Sequence, residues 1–263
     1  MKSAVGPDER FPMSKTLLGK VALATGGSRG LGAATAEALA DRGADVAISY
    51  VASDAKAQAV VERLKAKGVR GLAVKSDQAD VTAAKPLVDA VIDHFGRLDI
   101  LVNNAAIAVQ GKTVDDPTLD AEEFDRQWHV NVLGTVAVTR AAAQKLSDGG
   151  RIVFIGTGFG TRVAFPGVAD YAGTKAAILG YAKGVGRDLG PRNITVNVVQ
   201  PGIMPTDMAS EAAANLPDAV MDLHAIRRIA TVEEVAASVC FLAGPDAGYI
   251  TGTVLEVSGG YQI

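Results

Sequence analysis

Short apolar runs alternate with amphipathic segments along most of this chain. The apolar, β-branched runs predict seven buried strands, at residues 21–25, 45–50, 71–76, 99–103, 151–156, 194–199 and 253–257. Ala-rich segments with helical periodicity lie between them, at residues 31–42, 55–67, 82–95, 121–146, 171–189 and 232–243. Because right-handed helical crossovers join parallel strands, the pattern predicts an α/β fold: one doubly wound, three-layer αβα Rossmann domain with a seven-stranded parallel sheet.

Polar residues and glycines mark the ends of the predicted helices. Asp120 and Thr231 are side-chain acceptors, and a carboxylate follows each of them three residues later, as in the first turn of a helix. A glycine able to adopt the left-handed conformation follows four of the helical segments, at Gly43, Gly68, Gly96 and Gly190. Residues 1–15 mix Gly, Pro and charge, so we expect a flexible tail there, before a single domain at residues 16–263.

The composition narrows the class of function. With 263 residues, 48% hydrophobic and 21% charged, the chain can bury one sizeable core. Its 26 basic and 29 acidic side chains nearly cancel, which argues against electrostatic attraction to nucleic acid or to a membrane. The chain shows neither a secretory signal pattern nor an unbroken apolar stretch of about 18–20 residues. We therefore expect a soluble, cytoplasmic protein that binds a small molecule.

The cysteine and the histidines give no sign of a metal site. Cys240 lies in an apolar run, where burial as a small hydrophobic residue is expected. His94, His129 and His224 are far apart, and none has the spacing to a second ligand that zinc sites show. No metal ion is predicted.

A glycine-rich turn joins the first predicted strand to the first helix. Its glycines allow backbone to approach a pyrophosphate at the N-terminus of a helix. A glycine triplet alone is a weak signal, but its place at the first strand–helix junction predicts a dinucleotide site. The contacts expected from this turn are Gly26, Ser28, Arg29, Gly30, Leu31 and Gly32.

The charges near this turn favour NADP(H) over NAD(H). An NAD site needs a carboxylate at the end of the second strand, where this chain has Ser49, Tyr50 and Val51. Arg29 instead offers a guanidinium that can bind a 2′-phosphate through two hydrogen bonds. We expect Tyr50 beside the cofactor. Ser53 either adds a hydroxyl to the phosphate site or caps the next helix.

The chain resembles the short-chain dehydrogenase/reductase family over about residues 19–260. The glycine spacing resembles its TGxxxGxG turn, residues 103–106 resemble its NNAG motif, and residues 171–175 match its YxxxK motif. Residues 201–202, with a threonine four residues on, resemble the segment that meets the nicotinamide. The resemblance implies cofactor contacts from Asp77, Asn104, Ala105, Tyr171, Lys175, Pro201, Gly202 and Thr206. The alternative is that Asp77 does not contact the cofactor and is only a turn residue.

Tyr171 and Lys175 share one face at the head of a predicted helix. A phenol has a reference pKa of about 10, and a nearby ammonium is expected to lower it. Tyr171 can then exchange a proton with a carbonyl or alcohol oxygen. The resemblance implies that Lys175 also binds the nicotinamide ribose and that Asn131 holds a water in a proton relay. We expect an NADP(H)-dependent oxidoreductase that interconverts a ketone or 3-oxo group and a secondary alcohol.

The residue that orients the substrate oxygen departs from the family pattern. The family has a serine thirteen residues before the tyrosine, where this chain has Gly158. Alignment of the strand ends places Thr157 there instead, with the loop one residue longer, as in hydroxynaphthalene reductases. Thr157 supplies the same hydroxyl with an added methyl group. Thr157 is either catalytic or purely structural.

The region after Gly202 is expected to select the substrate. Its small and apolar residues predict a mobile helical lid at residues 203–229 over a mainly apolar pocket. His224 either enters this pocket or is a surface or packing residue. The family resemblance implies a homotetramer. An alternative function is a regulator that binds a ligand on the same scaffold, because residues 149–163 resemble a biofilm-dispersal subgroup described as binding cyclic di-GMP.

Overall fold

The computed structural model describes residues 15–206 and 218–263. Within them, seven strands form one sheet: β1 Val21–Ala24, β2 Asp45–Tyr50, β3 Gly71–Lys75, β4 Leu98–Asn103, β5 Leu146–Ile155, β6 Thr195–Pro201 and β7 Val254–Val257. All neighbouring pairs are parallel, in the order β3-β2-β1-β4-β5-β6-β7. The predicted Rossmann fold is therefore confirmed. Most of the predicted tail lies outside the described residues.

Helices cover both faces of the sheet because both faces of its strands are apolar. The helices are α1 Gly30–Asp41, α2 Asp54–Ala66, α3 Ala84–Phe95, α4 Ala121–Trp128, α5 Thr135–Ala143, α6 Ala169–Leu189, α7 Asp218–Met221 and α8 Val232–Ala243. Ala22 and Ala24 pack in one layer with α1, α2 and α8, whereas Val21 and Leu23 pack in the other with α3, α5 and α6. Cys240 is buried in the first layer, as expected.

Most of the predicted helix ends agree with the structure. Thr231 and Glu234 form a reciprocal capping box, and Asp120 accepts hydrogen bonds from two backbone N–H groups of α4. The glycines that take the left-handed conformation are Gly43 (φ +92°), Gly68 (φ +83°) and Gly96 (φ +84°). The prediction for Gly190 is wrong: its φ is −53°, and a short 3₁₀ turn follows, so Asn193 (φ +55°) takes the left-handed conformation instead.

The predicted helix at residues 121–146 is divided in the structure. A π-helical segment, His129–Gly134, separates α4 from α5. The chain passes closely over Gln78 at this point, since a Cβ on Gly134 would lie 1.8 Å from the Gln78 carbonyl oxygen. Helix α5 then ends at Ala143, and β5 begins at Leu146, earlier than its apolar run indicates. Segments of π-helix in α-helices are frequent at functional sites.

The topology fixes the place of the site. The strand order reverses between β1 and β4, whose crossovers run to opposite sides of the sheet. Ligands of open α/β sheets bind outside the carboxyl ends of the strands at such a point. The glycine turn follows β1, and residues 104–105 follow β4, so both lie at this switch point.

Candidate active site

A cavity of about 850 Å³ lies at the carboxyl ends of the strands. This volume is near the upper end of the roughly 300–1,000 Å³ found for small-molecule sites. All sixteen residues that sequence analysis assigned to the cofactor line it: Gly26, Ser28, Arg29, Gly30, Leu31, Gly32, Tyr50, Ser53, Asp77, Asn104, Ala105, Tyr171, Lys175, Pro201, Gly202 and Thr206. Thr157 lines the same cavity.

The glycine turn presents bare backbone to the cavity. Gly26 (φ +65°) and Gly30 (φ +53°) have conformations that favour glycine. A Cβ on Gly32 would lie 2.4 Å from the Gly26 carbonyl oxygen, so no larger residue fits there. The turn is held from β4, because the Asn104 side chain donates to the Thr25 carbonyl oxygen at 2.8 Å. A rigid backbone cradle at the N-terminus of α1 fits a pyrophosphate group.

The region beside the end of β2 contains a carboxylate that the sequence analysis did not consider. Arg29, Tyr50 and Ser53 line the cavity here. Ser53 precedes α2 but makes no capping hydrogen bond with its side chain, which weakens the alternative that it serves as a cap. Asp54 hydrogen bonds to Tyr50, raising the pKa of that phenol, and lies 3.6 Å from the Lys75 ammonium. Lys75 therefore offsets the negative charge near the expected 2′-phosphate.

Asp77 combines its two alternative roles. Its carboxylate accepts a hydrogen bond from the Ala79 backbone N–H at 2.9 Å, as a turn residue does, and it also lines the cavity. The Arg126 guanidinium of α4 lies 3.2 Å from the same carboxylate and lines the cavity too. The sequence pattern did not predict Arg126 in the cavity wall, because only the fold brings this residue next to Asp77.

Tyr171 and Lys175 lie together in the cavity, and both are buried. The Lys175 ammonium lies 6.0 Å from the centre of the Tyr171 ring and donates to the Ile155 carbonyl oxygen at 2.9 Å. Burial raises the pKa of Tyr171 to about 12 and lowers the pKa of Lys175 to about 8. Burial therefore raises the pKa of Tyr171 in the protein alone, and the expected lowering of that pKa by Lys175 stays a prediction.

The hydroxyl of Thr157 is available to a ligand. Within residues 15–206 and 218–263 no hydrogen bond engages it, whereas the Thr157 backbone carbonyl oxygen accepts a bond from the Gln200 side chain. Gly158 also lines the cavity, but a Cβ there would lie 2.8 Å from the Tyr261 ring. The residue thirteen positions before Tyr171, Gly158, must therefore be small. The longer loop instead places the hydroxyl group of Thr157 in the cavity.

Asn131 lies in the π-helical segment and does not line the cavity. Its side-chain oxygen accepts from the Ile107 N–H at 2.9 Å, and its nitrogen donates to the Ile107 carbonyl at 2.9 Å and to the Thr174 hydroxyl at 3.2 Å. The side chain thus ties the segment after β4 to α6, next to Tyr171. The proton-relay role of Asn131 stays a prediction.

Four residues complete the cavity wall near Tyr171, and all but one escaped the sequence analysis. They are Phe159, Phe165, His224 and Tyr261. His224, which sequence analysis left open between pocket and packing, is buried and lines the cavity. Of the predicted lid, residues 207–217 lie outside the described part of the chain. The local sequence gave no signal for the three aromatic residues.

The described residues contain neither a candidate metal site nor a candidate membrane span. Across residues 15–206 and 218–263, no group of three or more His, Cys, Asp or Glu side chains could hold a metal ion. No helix in these ranges is long and apolar enough to span a bilayer.

Several known proteins are similar to this chain in sequence and in fold. A family model described as enoyl-(acyl carrier protein) reductase matches residues 26–262. The cyclic-di-GMP-binding biofilm dispersal mediator protein of Escherichia coli is 40% identical over 246 residues, which cover 92% of this chain and 97% of that protein. The 3-oxoacyl-(acyl-carrier-protein) reductase of Staphylococcus aureus is 37% identical over 243 residues, again covering 92% of this chain and 97% of that one.

The solved structures agree with the sequence relatives. A short-chain dehydrogenase from Burkholderia cenocepacia, in complex with NADP, is 47% identical with a TM-score of 0.89, and the match covers 94% of this chain and 100% of that one. The family match spans most of the chain, including the glycine turn and the tyrosine–lysine pair. The chain therefore belongs to the short-chain dehydrogenase/reductase family, among its 3-oxoacyl reductase-like members.

Proposed function

We propose that this protein is an NADP(H)-dependent reductase that converts a ketone or 3-oxo group into a secondary alcohol, or catalyses the reverse reaction. The observation that carries the proposal is that one cavity holds the glycine turn, the Tyr171 phenol, the Lys175 ammonium and the unengaged Thr157 hydroxyl. A dinucleotide bound at the glycine turn would share this cavity with a hydride acceptor, whose carbonyl oxygen would lie near Tyr171 and Thr157. The relative in complex with NADP supports the choice of cofactor.

Each side chain has a distinct part in the proposed reaction. When bound, the reduced dinucleotide supplies a hydride to the carbonyl carbon. The pKa of about 12 keeps Tyr171 protonated near neutral pH, so that it can donate a proton to the carbonyl oxygen as a general acid. Thr157 orients the same oxygen by a hydrogen bond. Lys175 binds the nicotinamide ribose, and Asn131 fixes the segment through which a proton relay would run.

NADPH oxidation across ketones, diketones, quinones and 3-oxoacyl thioesters tests the proposal, with absorbance of the reduced cofactor as the measurement. We expect turnover of at least one class, and a fall of about 10²–10⁴-fold in Tyr171→Phe, since this is the usual contribution of a general acid. Tyr249→Phe is the matched control because Tyr249 is fully exposed. Turnover that persists in Tyr171→Phe would refute the mechanism.

The regulator alternative is kept because of the likeness to the biofilm dispersal mediator protein. A pure binding protein has no need of a buried tyrosine and lysine beside a free hydroxyl, and we therefore favour turnover. The same preparation separates the two functions. Micromolar binding of cyclic di-GMP by calorimetry, together with no oxidation of NADPH by any carbonyl compound, would establish the regulator.

We further propose a cytoplasmic homotetramer, as the family resemblance implies. At Gly180 and Gly184 of α6, no atom of residues 15–206 or 218–263 lies within 4 Å of an added Cβ, so this part of the helix can come close to another copy. The mass of the protein in solution, measured by light scattering, tests the assembly. A monomer would contradict it.

A further inference from the structure

The cavity wall beside Tyr171 is built around Phe159. Its ring makes edge-to-face contacts with three other aromatic rings, at centroid distances of 6.1 Å to Phe165, 6.4 Å to Tyr171 and 6.1 Å to Tyr261. The angles between the ring planes are 86°, 79° and 87°. These are favoured geometries for aromatic pairs. The expected proton donor, Tyr171, is therefore one member of an aromatic cluster.

Tyr261 joins this cluster from the end of the chain and is held firmly. Its ring lies beneath the Arg162 guanidinium at 5.4 Å, its carbonyl oxygen accepts from Arg162 at 2.6 Å, and its hydroxyl donates to the Arg162 carbonyl oxygen at 3.2 Å. Gly158 leaves room for the ring, as noted above. The Tyr261 ring thus packs against the longer loop at Gly158, and its hydroxyl group is already hydrogen bonded within the protein.

Aromatic surface borders the place where the substrate oxygen is expected. Phe159, Phe165 and Tyr261 line the same cavity as Thr157 and Tyr171, whose hydroxyls are the predicted partners of that oxygen. Tyr261 is almost fully buried, so this side of the wall is already packed in the protein alone. Phe159 is partly exposed and therefore leaves aromatic surface for a ligand. Rings held in this way can pair with a further flat ring by stacked or edge-to-face contact.

On the basis of the reductase function proposed above, we propose that the substrate is a ketone attached to a planar aromatic ring system, and that Phe159 and Tyr261 determine this specificity. The carbonyl carbon receives a hydride, with its two electrons, from NADPH, which becomes NADP⁺. The carbonyl oxygen receives a proton from Tyr171, which solvent replaces. The aromatic part of the substrate lies against the partly exposed ring of Phe159, which the buried ring of Tyr261 holds in place.

Two ketones with the same carbon skeleton test this proposal. β-Tetralone carries an aromatic ring that is not conjugated to its carbonyl group, and β-decalone has a puckered saturated ring in its place. We expect the wild-type kcat/KM to be about tenfold higher for β-tetralone, the size of an effect from one or two aromatic contacts. The preference should appear mainly in KM, because the reacting group is the same.

Variants of Phe159 and Tyr261 test whether these two residues cause the preference for β-tetralone over β-decalone. Phe159→Leu and Tyr261→Leu should each reduce the preference to about twofold or less while β-decalone is still reduced and NADPH still quenches protein fluorescence. Phe241→Leu and Tyr249→Leu are matched controls, since both residues are exposed and neither lines the cavity. They should keep the full preference.

The possible failures can be told apart. If acetoacetyl-CoA is reduced but β-tetralone is not preferred over β-decalone, the aromatic specificity is refuted and the reductase function stands. A preference that survives in both Phe159→Leu and Tyr261→Leu refutes the assignment to these residues. If no carbonyl compound oxidises NADPH, the proposed function itself fails, and this inference falls with it.

Discussion

The cofactor end and the substrate end of the cavity differ in how far apart along the chain their residues lie. The glycine turn takes its conformation from one strand–helix junction, and two neighbouring strand ends hold it in place, Ser49 of β2 and Asn104 after β4. The substrate end is assembled from the loop after β5, the start of α6, the residues around His224 and the C-terminal Tyr261. Local backbone geometry thus builds one end, and long-range packing of side chains builds the other.

The largest effect is expected at the cofactor end, from Gly32→Ala. The added methyl group would lie 2.4 Å from the Gly26 carbonyl oxygen and 2.6 Å from the Asn104 side chain, so the turn must shift. We expect a loss of about 3 kcal/mol in the free energy of unfolding, near the upper end for overpacking, with loss of NADPH binding. Urea unfolding and fluorescence titration measure the two effects.

Gly190→Ala is the matched control for this change. Gly190 has a φ of −53°, and no atom of the described residues lies within 4 Å of an added Cβ, so alanine fits without strain. Its free energy of unfolding should stay within about 0.5 kcal/mol of the wild type. Equal stability of the two variants would show that the cofactor end is not the rigid element described above.

The next effect concerns the choice of cofactor. Arg29→Ala should lower the ratio of kcat/KM for NADPH to that for NADH by about thirtyfold, because a charged hydrogen bond to phosphate contributes about 1.5–3 kcal/mol. Steady-state kinetics with both cofactors measure the ratio. Arg63→Ala is the control, since Arg63 pairs with Glu37 and does not line the cavity. An unchanged ratio in Arg29→Ala would place the phosphate contact elsewhere.

Lys175 lies where the cofactor end and the substrate end of the cavity meet. We expect Lys175→Met to increase the free energy of unfolding while it abolishes activity. Burial lowers the Lys175 pKa from 10.5 to about 8, and this shift costs about 3 kcal/mol when the lysine is charged. Loss of the hydrogen bond to Ile155 offsets part of the gain, so the variant should be about 1–2 kcal/mol more stable at pH 7. The folded protein binds fewer protons than the unfolded chain between pH 8 and 10.5, so this advantage should shrink as the pH rises through that interval.

Thermal unfolding at several pH values measures the difference in stability between Lys175→Met and the wild type. Ketone reduction by Lys175→Met should be lost. Lys183→Met is the control because Lys183 lies exposed on the same helix. Its stability should match the wild type at every pH within about 0.5 kcal/mol. A less stable Lys175→Met at pH 7 would contradict the dominance of burial at this position.

The same contrast explains how far the sequence could predict the molecule. The parallel sheet and the glycine turn follow from local patterns, and so does the pairing of Tyr171 with Lys175, four residues apart on one helix. Arg126 and Tyr261 reach the cavity only through the packing of distant segments. The raised pKa of Tyr171 depends on burial, which spacing does not reveal. The π-helical segment lies where Gly134 closely approaches Gln78, a contact between separate elements that local sequence patterns do not reveal.

The smallest effect is expected from Thr157→Val at the substrate end. Valine keeps the shape of threonine, and within the described ranges the lost hydroxyl has no protein partner, so stability should change by less than about 0.5 kcal/mol. If the hydroxyl orients the substrate oxygen, kcat/KM for the best ketone should fall about tenfold, as for one hydrogen bond to a group that gains charge. Thr157→Ser keeps the hydroxyl and should retain the activity. Equal activity of Thr157→Val and wild type would make Thr157 structural and leave Tyr171 as the only side chain expected to contact the substrate oxygen.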